Sequence, residues 1–504
     1  MMRFRVLIDW DDDGVFSAPG DEITEAVLEV GWRLGAVTAG QRAAPPGYAE
    51  ITLENRDHRF SPERSALALK PGKALRIVRE QGEALIPHFT GQISAIWAEP
   101  GGFSGQKARI TAQTVDAQLD GFDAALPPLP ETEAGEALAL LLDRLPLRRE
   151  GLAQLWALGV TGYSALDSET RLADSMTAVR QFDAGITRLR YPGALWRDGM
   201  TAAEAVRDLV ATERGRFYAD RQGWLRFENR HQALRRVPPS AVFDETMDVL
   251  DYGCGEGVIS RVRVQIRPCA IGSDDTVLWT LSAPQRLMPG MHLIRVHFRD
   301  AEGEAAGAAA IAGVTTVANS EADGSGSAQP VTTIVRRLEG SAAEIEFRNL
   351  TDAPVWLLAG TQIIGTPIQP LPPLSLEQAD LTSATFYGGG TLLLDLPLLD
   401  SIDAGEQTAR FELARRRQPQ GIARSVRFSR FRAPAALDVT IGDRIRLADS
   451  QTGHDQTYIV TGEAHALAQG GAQHSITLIL EAADPQVFWC LDASALGTES
   501  ALAY

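Results

Sequence analysis

The stretch Ala49-Glu50-Ile51-Thr52-Leu53-Glu54-Asn55-Arg56-Asp57-His58-Arg59-Phe60-Ser61-Pro62, followed by Pro71-Gly72-Lys73-Ala74-Leu75-Arg76-Ile77 and His88-Phe89-Thr90-Gly91-Gln92-Ile93, decides the fold. Ile51 and Leu53 alternate with Glu50, Thr52 and Glu54. Leu75 and Ile77 share a face, as do Phe89, Gly91 and Ile93. A period of two means half-buried antiparallel strands. Asn55-Arg56-Asp57, Pro71-Gly72 and Pro100-Gly101-Gly102 are chain-reversal signals between them. Short strands in series predict a small barrel or sandwich over residues 1–125.

Part of this pattern returns about 370 residues later. Gly72-Lys73-Ala74-Leu75-Arg76-Ile77 is matched by Gly442-Asp443-Arg444-Ile445-Arg446-Leu447. His88 to Ile96 is matched by Tyr458 to Leu467, each with Thr-Gly in mid-strand. Gly101-Gly102 answers Gly470-Gly471, and Arg109-Ile110-Thr111-Ala112 answers Ser475-Ile476-Thr477-Leu478. A mid-strand glycine marks a bulge or a sharp bend. The echo predicts two related β-barrels, the second assembled from both sides of an inserted domain.

The rest of the 504 residues changes texture in order. Pro127-Pro128-Leu129-Pro130 breaks the strand pattern. Leu138, Leu141, Leu142 and Leu145 then predict a helix over 131–145. A short helix at 151–158 and a polar linker over 159–190 follow. Thr201-Ala202-Ala203-Glu204 is a capping box, its helix stopped by Gly215. Arg216–Ala219 and Trp224–Glu228 form a hairpin about the turn 220–223. The run Ala301–Ser327 is rich in alanine, glycine and serine and predicts a mobile surface loop. Residues 330–400 are β-patterned again, with a hairpin expected from 343–347 to 355–358, and 409–416 fits helix or extended chain.

Net charge is −17, so a phosphate-gripping role is disfavoured, since that affinity comes from Lys and Arg. A channel through which DNA slides without sticking is compatible with it. Cys254, Cys269 and Cys490 form no C-x-x-C pair, which argues against a disulfide framework and a structural zinc site. No apolar run approaches the ~20 residues of a membrane span, and the N-terminus reads as a first strand, not a signal peptide.

Chemistry-bearing motifs are few. Asp9, Asp11 and Asp13, followed by Gly14, fit the first half of a calcium loop, with hard carboxylate ligands and a glycine turn. The usual glutamate twelve positions along is replaced by Gly20, and no helix flanks the loop. There is no G-x-S-x-G, no H-E-x-x-H and no phosphate-cradling loop. The eight histidines, His58, His88, His231, His465 and His474 among them, are scattered and read as turn caps or strand faces. Trp196, Trp224, Trp279 and Trp356 are spread singly, which suits core positions more than a sugar-stacking face. The chain therefore reads as a non-enzyme.

The series Ile8 to Gly14, Trp32-Arg33, Ala49 to Pro62, Pro71-Gly72-Lys73 and Phe89-Thr90-Gly91 resembles the N-terminal domain of minor tail, or baseplate-hub, proteins of long-tailed bacteriophages. Trp196 to His231, and the series Gly365-Thr366-Pro367, Tyr387-Gly388 and Leu394 to Leu399, resemble later modules of the same proteins. The resemblance implies a mainly β chain with some α: a first hub β-barrel at 1–125 and a helical linker region at 126–195. A second, discontinuous hub barrel follows at 196–300 with 405–485, then an inserted β-sandwich at 301–404 and a C-terminal tail at 486–504. It further implies a homotrimeric tail-tip hub in the virion tail, assembled in the bacterial cytoplasm. The implied partners are a distal tail protein, a tape-measure protein and a central fibre or spike protein. Phage DNA would pass without specific binding, and a host surface receptor is a further candidate. In such a ring Asn55, Arg56, Asp57 and Arg59 become a candidate subunit contact. The rival readings are a receptor- or glycan-binding adhesin acting through the inserted domain and, last, a cell-wall hydrolase.

Overall fold

A computed structural model describes the chain except residues 1–3, 19, 68, 83, 102–104, 146, 148–179, 236, 256, 301–302, 470–471 and 484–504. The helix expected at 151–158, most of the linker, the glycine pairs at 101–102 and 470–471, Cys490 and the C-terminal tail fall wholly or partly outside the described residues.

Twelve strands build one large sheet. From the N-terminal part come β1 (Phe4–Ile8), β2 (Val27–Gly35), β3 (Tyr48–Glu54), β4 (Ala74–Gln81), β5 (Ala84–Glu99) and β6 (Lys107–Gln113). From further along come β7 (Ala241–Phe243), β8 (Val249–Cys254), β9 (Gly421–Ser429), β10 (Arg444–Asp449), β11 (His454–Ala468) and β12 (Gln473–Ala482). The first six lie side by side as β1-β4-β5-β6-β3-β2 and the second six as β7-β10-β11-β12-β9-β8. These are the same order, strand for strand. The outermost members differ in direction: β1 runs antiparallel to β4, whereas β7 runs parallel to β10.

Two details fix the equivalence residue by residue. Gly72 and Ile93 exchange backbone contacts with their neighbours as Gly442 and Val460 do: the Gly72 N–H donates to Ile93 O and the Gly442 N–H to Val460 O. A bulge then skips Ser94 in β5, between Ile93 and Ala95, and Thr461 in β11, between Val460 and Gly462. Ile93 therefore corresponds to Val460, and Ile110 to Leu478. The Thr-Gly pairs that suggested the echo are four residues out of this register, because the second hairpin is three residues shorter. The glycine turn and the bulge carry the homology of form; the dipeptide does not.

Each half curls over its own core. Ile51, Leu75, Ile77, Phe89 and Ile110 fill the first, and Phe428, Ile445, Leu447, Val460 and Leu478 the second. Burying side chains of this size contributes about 1.5–3 kcal/mol each. Two closed barrels were expected, and no closed barrel is found among the described residues. The reason is in the pairing: β2, the edge that could have closed the first half onto β1, is instead hydrogen-bonded to β11 of the second.

The helical region is built as the periodicity requires. Helix α1 (Ala134–Asp143) buries Leu138, Leu141 and Leu142 against α2 (Ala202–Glu213). The Glu204 N–H donates to Thr201 Oγ1 at 3.2 Å, and the Thr201 N–H donates to the Glu204 carboxylate at 3.0 Å, which completes the capping box. Thr201→Ala is expected to lower stability by about 1 kcal/mol, read from urea unfolding midpoints. The helix stop differs from expectation. Arg214, at φ 61°, takes the left-handed closing position. Gly215 is needed for close packing instead: a Cβ there would lie 2.5 Å from Glu228 O.

Between β8 and β9, within the second half of the sheet, the chain inserts two smaller units. One has strands from Cys269 to Pro370 around Leu278, Phe298, Ile345, Phe347 and Ile363. Residues 278–298, expected with the second barrel, supply part of this core. Gly307–Thr315 is a strand paired with Gln362–Pro370 where a mobile loop was expected. Its alternating small residues gave too little apolar contrast to show a period of two. The hairpin expected at 343–358 also fails: Ala342–Asn349 pairs with Gly290–His297 and Val331–Leu338, and Val355–Leu357 pairs elsewhere. The second unit is a three-stranded sheet, Leu374–Ala379, Arg261–Ile266 and Thr391–Leu396, covered by α4 (Ile402–Arg416). A short helix, α3 (Leu381–Tyr387), precedes its last strand.

Candidate assembly seam

The join between the halves is a strand pairing. Val30 to Gly35 run antiparallel to Leu467 to Gly462, with Trp32 opposite His465 and Leu34 opposite Glu463. The Ala36 N–H extends the ladder to Thr461 O at 2.9 Å. Two glycines permit the approach. Gly35 has φ 73°, and a Cβ on Gly462 would sit 1.9 Å from Ala36 O. Gly462→Ala must therefore push β2 off β11. Overpacking of this kind costs about 1–3 kcal/mol, and loss of amide protection in β2 by hydrogen exchange is the local readout.

Polar groups are buried along the seam and drawn from distant parts of the chain. Arg221, in the turn of the hairpin Arg216–Ala219/Leu225–Glu228, enters the second half. It grips Glu463 through two donors at 2.7 and 2.5 Å and donates to Leu437 O and Val439 O at 3.0 and 2.7 Å. Burial alone would raise the Glu463 pKa, but the Arg221 guanidinium outweighs it and brings the carboxyl down to about 2. Arg79, buried on β4, reaches Asp438 in the second half at 2.5 Å. Arg42, just after β2, meets Glu481 of β12 at 2.9 Å; there too burial opposes ionisation, and Arg42 with Arg415 brings the Glu481 carboxyl down to about 2.

Three histidines converge at the same place. His465 stacks on Trp32 with ring centroids 4.6 Å apart, its Nδ1 is 3.1 Å from His474 Nε2, and the His88 ring lies 5.6 Å from that of His465. All three are buried. Burial is the main cause that pushes each below its ordinary pKa, His474 to about 3, so all three are neutral at neutral pH. Neither ring nitrogen of His88 has a hydrogen-bond partner among the described residues. Scattered in sequence, these residues gave no periodic signal; only the joining of the halves brings them together.

The acidic turn is compact. The Asp13 and Gly14 N–H groups donate to the Asp9 carboxylate at 3.1 and 2.8 Å, and Asp9 is fully buried. Carboxylate oxygens of Asp9, Asp11 and Asp13 lie within 4.8 Å of one another. Lys73 pairs with the neighbouring Asp12 at 2.6 Å. The turn after β3 divides by burial. Asn55 is buried and holds the loop from inside: its Nδ2 donates to Ser61 Oγ, and the Phe60 N–H donates to its Oδ1. Arg59 donates to Gly20 O at 3.1 Å. Arg56 and Asp57 are the exposed members.

No protein-family model matches the sequence, and no curated protein does. Among solved structures, the chain is similar to a tail protein from Neisseria meningitidis, at 10% identity and a TM-score of 0.46, over 95% of this chain and 96% of that one. A 43 kDa prophage tail protein from Shewanella oneidensis aligns at 9% identity and a TM-score of 0.46, over 96% and 99%. A prophage tail protein from Listeria monocytogenes aligns at 7% identity and a TM-score of 0.39, over 95% and 94%.

Proposed function

We propose that this chain is a structural, non-catalytic component of a phage-type tail: a hub whose trimer closes the tail tube with six similar modules. The observation that supports the reading is the six-strand order repeated within one continuous sheet. A chain that already joins two like modules edge to edge carries the joint needed to build a ring from identical copies. In this reading the ring surrounds a channel for phage DNA. A distal tail protein lies above it, the tape-measure protein inside and a central fibre or spike below, with the virion tail as its location. Arg56 and Asp57 are then candidates for subunit contact, and the Asp9, Asp11 and Asp13 carboxylates for calcium. Light scattering with cryo-EM class averages tests the main claim: a threefold ring of six modules is expected, and a monomer at all concentrations counts against it. A calcium-dependent rise in melting temperature that is lost in Asp11→Asn tests the ion.

One observation favours a second reading, attachment to a host surface through the inserted unit. Met291, Leu293 and Ile334 are exposed there, Leu293 and Ile334 both flanking Glu346 on one face. Exposed apolar side chains grouped in this way mark contact surfaces. Ile271 pairs with Ile368, so the unit can be excised between adjacent strand ends. Host-cell or glycan binding that disappears on deleting 272–367 would support this reading.

A further inference from the structure

The internal seam occupies one of two equivalent positions. Strand β11 is long: residues 454–459 pair with β10, and on the same edge 462–467 pair with β2. Its counterpart β5 pairs with β4 only as far as Gln92, so beyond Ile93 the edge opposite β6 carries no strand among the described residues. The counterpart of β2 is β8, which pairs with β9 on one side and ends the sheet on the other. The molecule thus presents, at two separate places, the two halves of a joint it has already made once. Long unpaired edges are templates for further pairing.

Resting on the ring reading above, we propose that neighbouring subunits join by pairing β8 of one copy antiparallel to the second half of β5 of the next, in the register of the internal seam. The bulge sets Ala95 equivalent to Gly462, and the pairing of β9 sets Leu250 equivalent to Val30. Transferring Val30–Leu467, Trp32–His465 and Arg33–Ala464 then places Leu250 opposite Pro100, Tyr252 opposite Ala98, and Gly253 opposite Trp97. Tyr252 and Trp97 are both exposed in the single chain, as residues awaiting a neighbour are. The two edges differ, so the contact is head-to-tail and generates a ring where the rotation closes.

A disulfide tests the register. Hydrogen-bonded and non-hydrogen-bonded pairs alternate along an antiparallel ladder. With Ala36 bonded to Thr461, Arg33–Ala464 is of the closer, non-hydrogen-bonded type. Its counterpart is Gly253–Trp97. Gly253 has space for a side chain, since an added Cβ meets nothing within 4 Å. In a Cys254→Ser background, Gly253→Cys with Trp97→Cys is expected to give covalent oligomers ending at three on a non-reducing gel, while each single variant gives none. Asp251→Cys with Glu99→Cys is the second pair, expected to behave alike. A trimer in light scattering with neither pair cross-linked overturns the register and leaves the ring reading standing. A covalent ladder running past three supports the edges and overturns the trimer. A monomer throughout overturns both.

Discussion

Replacing Arg221 with leucine is expected to lower the stability of the protein by about 3–5 kcal/mol, the cost of stranding one member of a buried ion pair. The guanidinium is almost fully enclosed and makes four hydrogen bonds, two to Glu463 and two to main-chain carbonyls. Without it, the Glu463 carboxylate remains in the core, with His465 Nε2 3.8 Å away. Burial disfavours a compensating charge on that histidine. The pair itself need not be worth this amount, because both ions lost their water on folding. Replacing both partners by leucine is therefore expected to recover much of the loss. Urea unfolding of the two single variants and the double variant gives the coupling directly. A fall in midpoint at constant slope is the signature of lost stability alone. If Arg221→Leu costs less than 1 kcal/mol, Arg221 is not what locks the hairpin turn into the second half.

Elements with local causes were legible in the sequence; those made by distant meetings were not. Alternation at Ile51 and Leu53 and the capping box at Thr201 depend on neighbours in the chain, and they appear where expected. The duplication was visible because a glycine turn has to be encoded at both sites, Gly72 and Gly442. Its register was misjudged, since a bulge is defined by pairing with another strand and leaves no mark that alignment by dipeptide can find. Gly307–Thr315 was missed for want of large apolar residues. Arg221 lay inside a turn, where an arginine reads as solvated; its role depends on Glu463, 242 residues further along in the large sheet. The single site prediction resting on adjacency, Asp9 with Asp11 and Asp13, does place its carboxylates together. Of the charged turn at Asn55, the sequence could not tell which members face inward, because Asn55 is held by Ser61 and by Gln106, just ahead of β6.

The histidine cluster gives the second large effect: the protein is expected to lose stability steeply as pH falls from about 6.5 to 5. Well above pH 6.5 the three histidines are neutral in both folded and unfolded chains and contribute no pH dependence. Below it the unfolded chain binds protons near the ordinary histidine value, while the folded chain resists them, because burial holds His88 and His474 well below that value and lowers His465 as well. Each such group costs about 1.4 kcal/mol per pH unit. His88 and His474 together approach ~3 kcal/mol per unit, with His465 acting in the same direction, against a total stability of roughly 5–15 kcal/mol. The charges that face the cluster deepen the effect. Arg79 and Arg221 lie close to His88 and His465, and Arg430 to His474; each repels an incoming proton, whereas Glu463 favours one on His465. A second, later loss follows from Glu463 and Glu481. Their stabilising charge is present above the ordinary glutamate range and is lost as pH falls towards about 2. His88→Leu separates the cluster from general acid effects. Neither nitrogen of His88 is hydrogen-bonded among the described residues, so the substitution removes a desolvated polar ring. It is expected to raise stability by about 1 kcal/mol at pH 7.5 and to reduce the slope between pH 6.5 and 5 by about a third to a half. Urea midpoints across that range decide it: equal slopes for the wild type and His88→Leu would show that the seam does not set the acid limit of the fold.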